Sequence, residues 1–147
     1  MKKFIILIAF SVWACDIGIS QCPSSAITLG SQAEVDAFPT TYQGCSVIPV
    51  SVTITGNDIT NLDGLSMVTG TERSFFIRDN PQLTSINGLS NVTFIDVELL
   101  FENNPLLTSL AGLDKLTSLG GFLDIEFNAS LATLNGLGPM PSTGSYV

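Results

Sequence analysis

The dipeptide Gly-Leu returns every 24 residues, at Gly64-Leu65, Gly88-Leu89, Gly112-Leu113 and Gly136-Leu137. A fixed period of this length over four units restricts the chain to architectures in which a short unit stacks on its own copies. An asparagine precedes each dipeptide, at Asn57, Asn80, Asn104 and Asn128, with spacings of 23, 24 and 24. The first unit is therefore one residue short in its turn.

Each unit opens with a short alternating stretch. Val52 and Ile54, Phe75 and Ile77, Leu99 and Phe101, and Leu123 and Ile125 fall two apart, the mark of a half-buried strand. The asparagine ends the strand, followed twice by proline (Pro81, Pro105), and both are turn residues. A second apolar set follows at Ile59 and Leu62, Leu83 and Ile86, Leu107 and Leu110, and Leu131 and Leu134. After the Gly-Leu come Val68, then Val92 with Ile95, then Leu116 with Leu119. No window carries a 3.6-residue amphipathic pattern of helix length. The sequence predicts a β-rich solenoid, a right-handed coil of about four 24-residue repeats over residues 50–138. Its strands lie in parallel, about 4.8 Å apart.

Residues 21–49 read as an N-terminal cap. Ala26 to Leu29 supplies a first strand. Ser31 and Glu34 have capping-box spacing, and Ala33, Val35, Ala37 and Phe38 predict a short helix before Pro39. Residues 1–20 read as an export signal: basic Lys2 and Lys3, an apolar run from Phe4 to Ala14, and small Gly18 and Ser20 before a cut at Gln21. That cut would remove Cys15 and leave Cys22 and Cys45 as an even pair, so a disulfide is expected in an oxidising compartment. A second reading stays open, because Val12-Trp13-Ala14-Cys15 also resembles a lipobox with Cys15 lipidated. The tail, residues 139–147, is turn-rich and offers no cap, so the last coil is expected to be poorly covered, as in a truncated product.

The stretch LTSLGGFLDIEFNASLATLNGL, with Leu116, Leu119, Leu123, Ile125, Asn128 and Leu131, resembles leucine-rich repeats. More closely, the chain is similar to the receptor-L-domain-type repeats of exported proteins from Bacteroidetes-like bacteria, in which a Cys-Pro follows the signal. The resemblance covers residues 21–138. It implies a solenoid, a secreted or cell-surface location and a binding or adhesion role. It says almost nothing of the ligand. Such relatives carry more repeats and a C-terminal sorting domain.

Composition narrows the function further. The formal net charge is −8, and only Lys2, Lys3, Arg73, Arg78 and Lys115 are basic, which argues against nucleic acid as a partner. The chain has no histidine, so Ser-His-Asp and Cys-His catalysis are excluded. No phosphate loop of the Walker type is present. No enzyme activity, cofactor or metal is expected. The asparagines Asn57, Asn80, Asn104 and Asn128 are expected to form a structural ladder that satisfies backbone groups, in preference to a ligand site.

The outward strand positions are Thr53 and Thr55, Phe76 and Arg78, Leu100 and Glu102, and Asp124 and Glu126. Phe76 and Leu100 are expected side by side and facing solvent, a candidate contact for a protein or a glycan. Glu102, Asp124 and Glu126 form an acidic cluster beside them. A solvated acidic face is the expected reading, with a carboxylate-based glycosidase or a weak calcium site as remote alternatives.

Overall fold

A computed structural model of the chain describes residues 21–139, so the expected signal, the Cys15 alternative and all but the first residue of the tail lie outside the described residues. The chain coils through two parallel sheets. The strands are β1 (Ile27–Leu29), β2 (Val47–Ile48), β3 (Val52–Ile54), β4 (Gly70–Thr71), β5 (Phe75–Arg78), β6 (Phe94–Ile95), β7 (Glu98–Glu102), β8 (Ser118–Leu119) and β9 (Phe122–Glu126). Odd strands form a five-stranded sheet in the order β1-β3-β5-β7-β9, and even strands a four-stranded sheet, β2-β4-β6-β8. Alternation between two sheets, each strictly in chain order, makes a solenoid.

Residues 27–48 are themselves a coil. They head both sheets, and helix α1 (Gln32–Thr41) stands where later coils carry single 3-10 turns, at Asp63–Leu65 and Asn87–Leu89. The Ser31 hydroxyl accepts the Glu34 N–H and caps α1. Glu34 does not close the reciprocal capping box; its Oε2 accepts the N–H of Gly30 instead. The helix also runs through Pro39 rather than stopping before it. Pro39 has no N–H, so the Val35 carbonyl lacks its helical donor. Gly64 packs against that carbonyl so closely that a Cβ would stand 2.0 Å from its oxygen.

The same close approach explains the repeating glycine. A Cβ at Gly88 would lie 1.7 Å from the Leu62 carbonyl oxygen, and one at Gly112 would lie 2.4 Å from that of Ile86. Each Gly-Leu glycine thus lets one coil sit on the backbone of the coil before, while its leucine enters the core.

Inward side chains fill the space between the sheets. Val52, Ile54, Ile59, Leu62, Leu65, Ile77, Leu83, Leu99, Phe101, Leu107, Leu110 and Leu113 have no solvent exposure. Full burial of one such side chain stabilises by roughly 1.5–3 kcal/mol. At the N-terminal end Val35, Phe38 and Cys45 are also wholly buried. Cys22 and Cys45 form a disulfide with a sequence separation of 23, a loop closure worth about 3 kcal/mol.

The asparagine column is real in three coils and absent in the first. Asn80 Nδ2 donates to the Ile54 carbonyl (3.1 Å), the Arg78 carbonyl (3.0 Å) and Asn104 Oδ1 (3.0 Å). Asn104 Nδ2 repeats the pattern on Ile77, Glu102 and Asn128 Oδ1. Asn128 Nδ2 donates to the Phe101 and Glu126 carbonyls. Asn57, expected in this ladder, is exposed and outside it. Its place is taken by Gly56, whose N–H donates to Asn80 Oδ1 (2.9 Å) as the Asn104 N–H does to Asn128 Oδ1. The missing residue lies between Ile54 and Ile59, so the turn slides by one position. Nor could an asparagine stand at position 56, because its Cβ would meet the Gly30 carbonyl oxygen at 2.4 Å.

Candidate interaction face

Strand alternation sends every second side chain of the five-stranded sheet outward. In register across the sheet these form a row, Thr28, Thr53, Phe76, Leu100 and Asp124, one residue from each strand. A parallel row contains Arg78, Glu102 and Glu126, also direct partners. On the other side of the first row, Glu98 pairs with Phe122.

The structure therefore brings together all six residues named from the sequence: Phe76, Arg78, Leu100, Glu102, Asp124 and Glu126. Phe76 and Leu100 stand beside each other, half-buried among their outward neighbours, while their inward partners Phe75, Ile77, Leu99 and Phe101 are buried. Arg78 and Glu126 are exposed, and Glu102 and Asp124 half-buried. Three further residues belong to this face beyond the outward positions read from the sequence: Thr28, Glu98 and Phe122. Glu98 and Phe122 lie one strand position before the expected start of the alternating stretch. The signal that extends it was present, since Glu98 and Phe122 continue the outward parity of Leu100 and Asp124.

Charge is unevenly distributed along the face. The strands β1 and β3 contribute Thr28 and Thr53, which are neutral. The strands β7 and β9 contribute Glu98, Glu102, Asp124 and Glu126, against the single guanidinium of Arg78 on β5. The arrangement can seat an apolar group over Phe76 and Leu100 and attract positive charge towards β9. The carboxylates stand on adjacent parallel strands and project from one face. Among the described residues no group of three or more His, Cys, Asp or Glu side chains could hold a metal ion.

A cavity of about 260 Å³ lies elsewhere, at the cap, lined by Thr28, Leu29, Glu34, Ala37, Thr41 and Tyr42. The Glu34 carboxylate there is already engaged by Gly30. Among the described residues no helix is long and apolar enough to cross a membrane. The fold and face define a β-solenoid with a mixed apolar and acidic outer sheet. Beyond that class, comparison adds nothing, because no family model, no curated protein and no solved structure matches the chain.

Proposed function

We propose that this chain is a non-catalytic binding or adhesion module of the leucine-rich-repeat, receptor-L-domain-like type. It works outside the cell or on its surface, and the outer face of the five-stranded sheet holds a protein or a glycan. The observation that carries this reading is the in-register pair Phe76 and Leu100, two apolar side chains presented outward on adjacent strands. A solenoid has no structural need for apolar groups there, since the core lies on the other side of the sheet. Interface energy concentrates in a few anchors of this kind. The disulfide between Cys22 and Cys45 favours an oxidising compartment, which fits export. Absence of histidine and the placement of the carboxylates on a sheet face both favour display over catalysis.

A second reading, a passive structural repeat protein with no ligand of its own, is favoured by other exposed apolar groups. Phe122, Phe127 and Leu134 are 55, 72 and 55% exposed; all three lie in the last coil, and of them only Phe122 shares the outer sheet face with the Phe76–Leu100 pair. The two readings part on one experiment. The parent and the double variant Phe76→Ser, Leu100→Ser are compared on arrays of glycans and of extracellular proteins, with thermal melts alongside. The binding reading expects a partner held by the parent and lost by the variant at a near-equal melting temperature. A parent that binds nothing, or a variant that keeps every partner, sinks it. A variant that melts far below the parent would place Phe76 and Leu100 in the core.

A further inference from the structure

We infer that the partner of this face is a cationic polypeptide segment that seats one apolar side chain over Phe76 and Leu100 and runs its basic residues towards β9; the inference rests on the face being the binding surface. The order of side chains along the central row sets the polarity. Thr28 and Thr53 offer neutral contacts, Phe76 and Leu100 an apolar centre, and Asp124 a carboxylate. Glu102 and Glu126 strengthen the same gradient on one flank; on the other, Glu98 adds a carboxylate on β7 and its partner on β9 is the exposed Phe122. Arg78 is the only basic residue on the face, and it stands on β5, before the carboxylates begin.

Complementarity of potential steers association and selects partners, and like charges facing each other are strongly unfavourable. An acidic glycan, a nucleic acid or an anionic lipid surface would meet four carboxylates with one guanidinium among them. A neutral glycan would leave those carboxylates without partners. A basic segment satisfies both the apolar centre and the acidic end. The five strands span roughly 19 Å at about 4.8 Å per strand, which about six extended residues can cross. A short linear stretch of protein is thus sufficient.

The test uses the purified protein and a dye-labelled peptide of about eight residues, with leucine at its centre and lysines in one half, read by fluorescence polarisation. A matched peptide carries glutamates in place of the lysines. The lysine peptide is expected to bind, and to weaken at least tenfold as the screening length shrinks from roughly 30 Å at 0.01 M salt to 3 Å at 1 M. The glutamate peptide is expected not to bind. Neutralising the face with E98Q, E102Q, D124N and E126Q should weaken the lysine peptide by about tenfold or more. The same charge change made elsewhere, with D36N, D63N, E72Q and D114N, should weaken it less than about threefold. Equal loss in the two sets would show that net charge alone attracts the peptide and would overturn the inference. So would failure of the lysine peptide to bind, or equal binding of the glutamate peptide. If the glutamate peptide binds and Phe76→Ser, Leu100→Ser releases it, the cationic partner is wrong while the binding face survives. If that double variant leaves the lysine peptide untouched, the apolar anchor fails, and the face as a binding surface fails with it.

Discussion

The third and fourth repeats carry nearly the same sequence pattern and meet very different fates. Phe101, Leu107, Leu110 and Leu113 in the third are wholly buried. Their counterparts Ile125, Leu131 and Leu137 in the fourth are only partly buried, and Leu134 is 55% exposed. The difference does not lie in the residues, which are leucine or isoleucine at all four positions of the fourth repeat. It lies in the neighbours. A coil in the interior of the stack is covered on both sides, and among the described residues the fourth packs only against the third. Burial in a solenoid is a property of adjacent pairs of coils, so identical side chains contribute unequally to stability.

The largest expected effect exploits that contrast directly. Phe101→Ala should lower stability by about 3–5 kcal/mol through the cavity it leaves, whereas Leu134→Ala should change it by less than about 0.5 kcal/mol. Urea denaturation of the two variants measures both. Comparable losses would mean that Leu134 is covered in solution, and the contrast between the coils would vanish.

The asparagine column sharpens the comparison at the level of polar groups. Asn104→Ala strips donors from the Ile77 and Glu102 carbonyls and an acceptor from Asn80 in the buried interior, and should cost about 1–3 kcal/mol. Asn57→Ala touches an exposed side chain outside the ladder and should stay within about 0.5 kcal/mol of the parent. Chemical denaturation of both decides it. An Asn57 variant as damaged as the Asn104 one would restore Asn57 to the column and displace Gly56.

The smallest effect has the opposite sign. Asp79, Asn103 and Phe127 occupy equivalent turn positions with φ of 56, 52 and 54°. Aspartate and asparagine tolerate this left-handed region, and Asn103 Nδ2 donates to Asp79 Oδ1 at 2.8 Å. A bulky aromatic does not tolerate it well, yet Phe127 is 72% exposed and gains little burial in return. Phe127→Asn should therefore raise stability by about 1 kcal/mol, read as a rise in melting temperature. A fall would show that the phenylalanine ring makes a contact worth more than the backbone strain.

Much of this architecture was legible in the sequence because a solenoid writes its geometry as a period. The inward residues, the Gly-Leu repeat, one strand per unit and the pairing of Phe76 with Leu100 all follow from counting in steps of 24 and of two; the second sheet does not, because its strands are two residues long, too short to show an alternation. The sequence misled where a letter matched but a distance did not. Asn57 has the right residue type, yet only five positions separate Ile54 from Ile59, against six from Ile77 to Leu83. The core residues fix the register, and the asparagine is carried past the ladder. Pro39 misled for a different reason. Its local preference is to end a helix, but it falls in the last turn of α1, where the freed carbonyl finds a close neighbour in Gly64. Glu98 and Phe122 escape the pattern because the strands begin one residue before the first inward positions, Leu99 and Leu123. The ligand is not legible, since the outward side chains follow no period from one repeat to the next.

The two ends of the stack differ in a way that bears on how the molecule comes apart. At one end a disulfide ties Cys22 to Cys45, and α1 seals the core with Phe38 and Val35. At the other, among the described residues, β9 pairs on one side only, with β7. Within the described residues a break near β1 or α1 is still held by the Cys22–Cys45 bridge, whereas β9 is held by its hydrogen bonds to β7, so local opening is expected to cost least at β9.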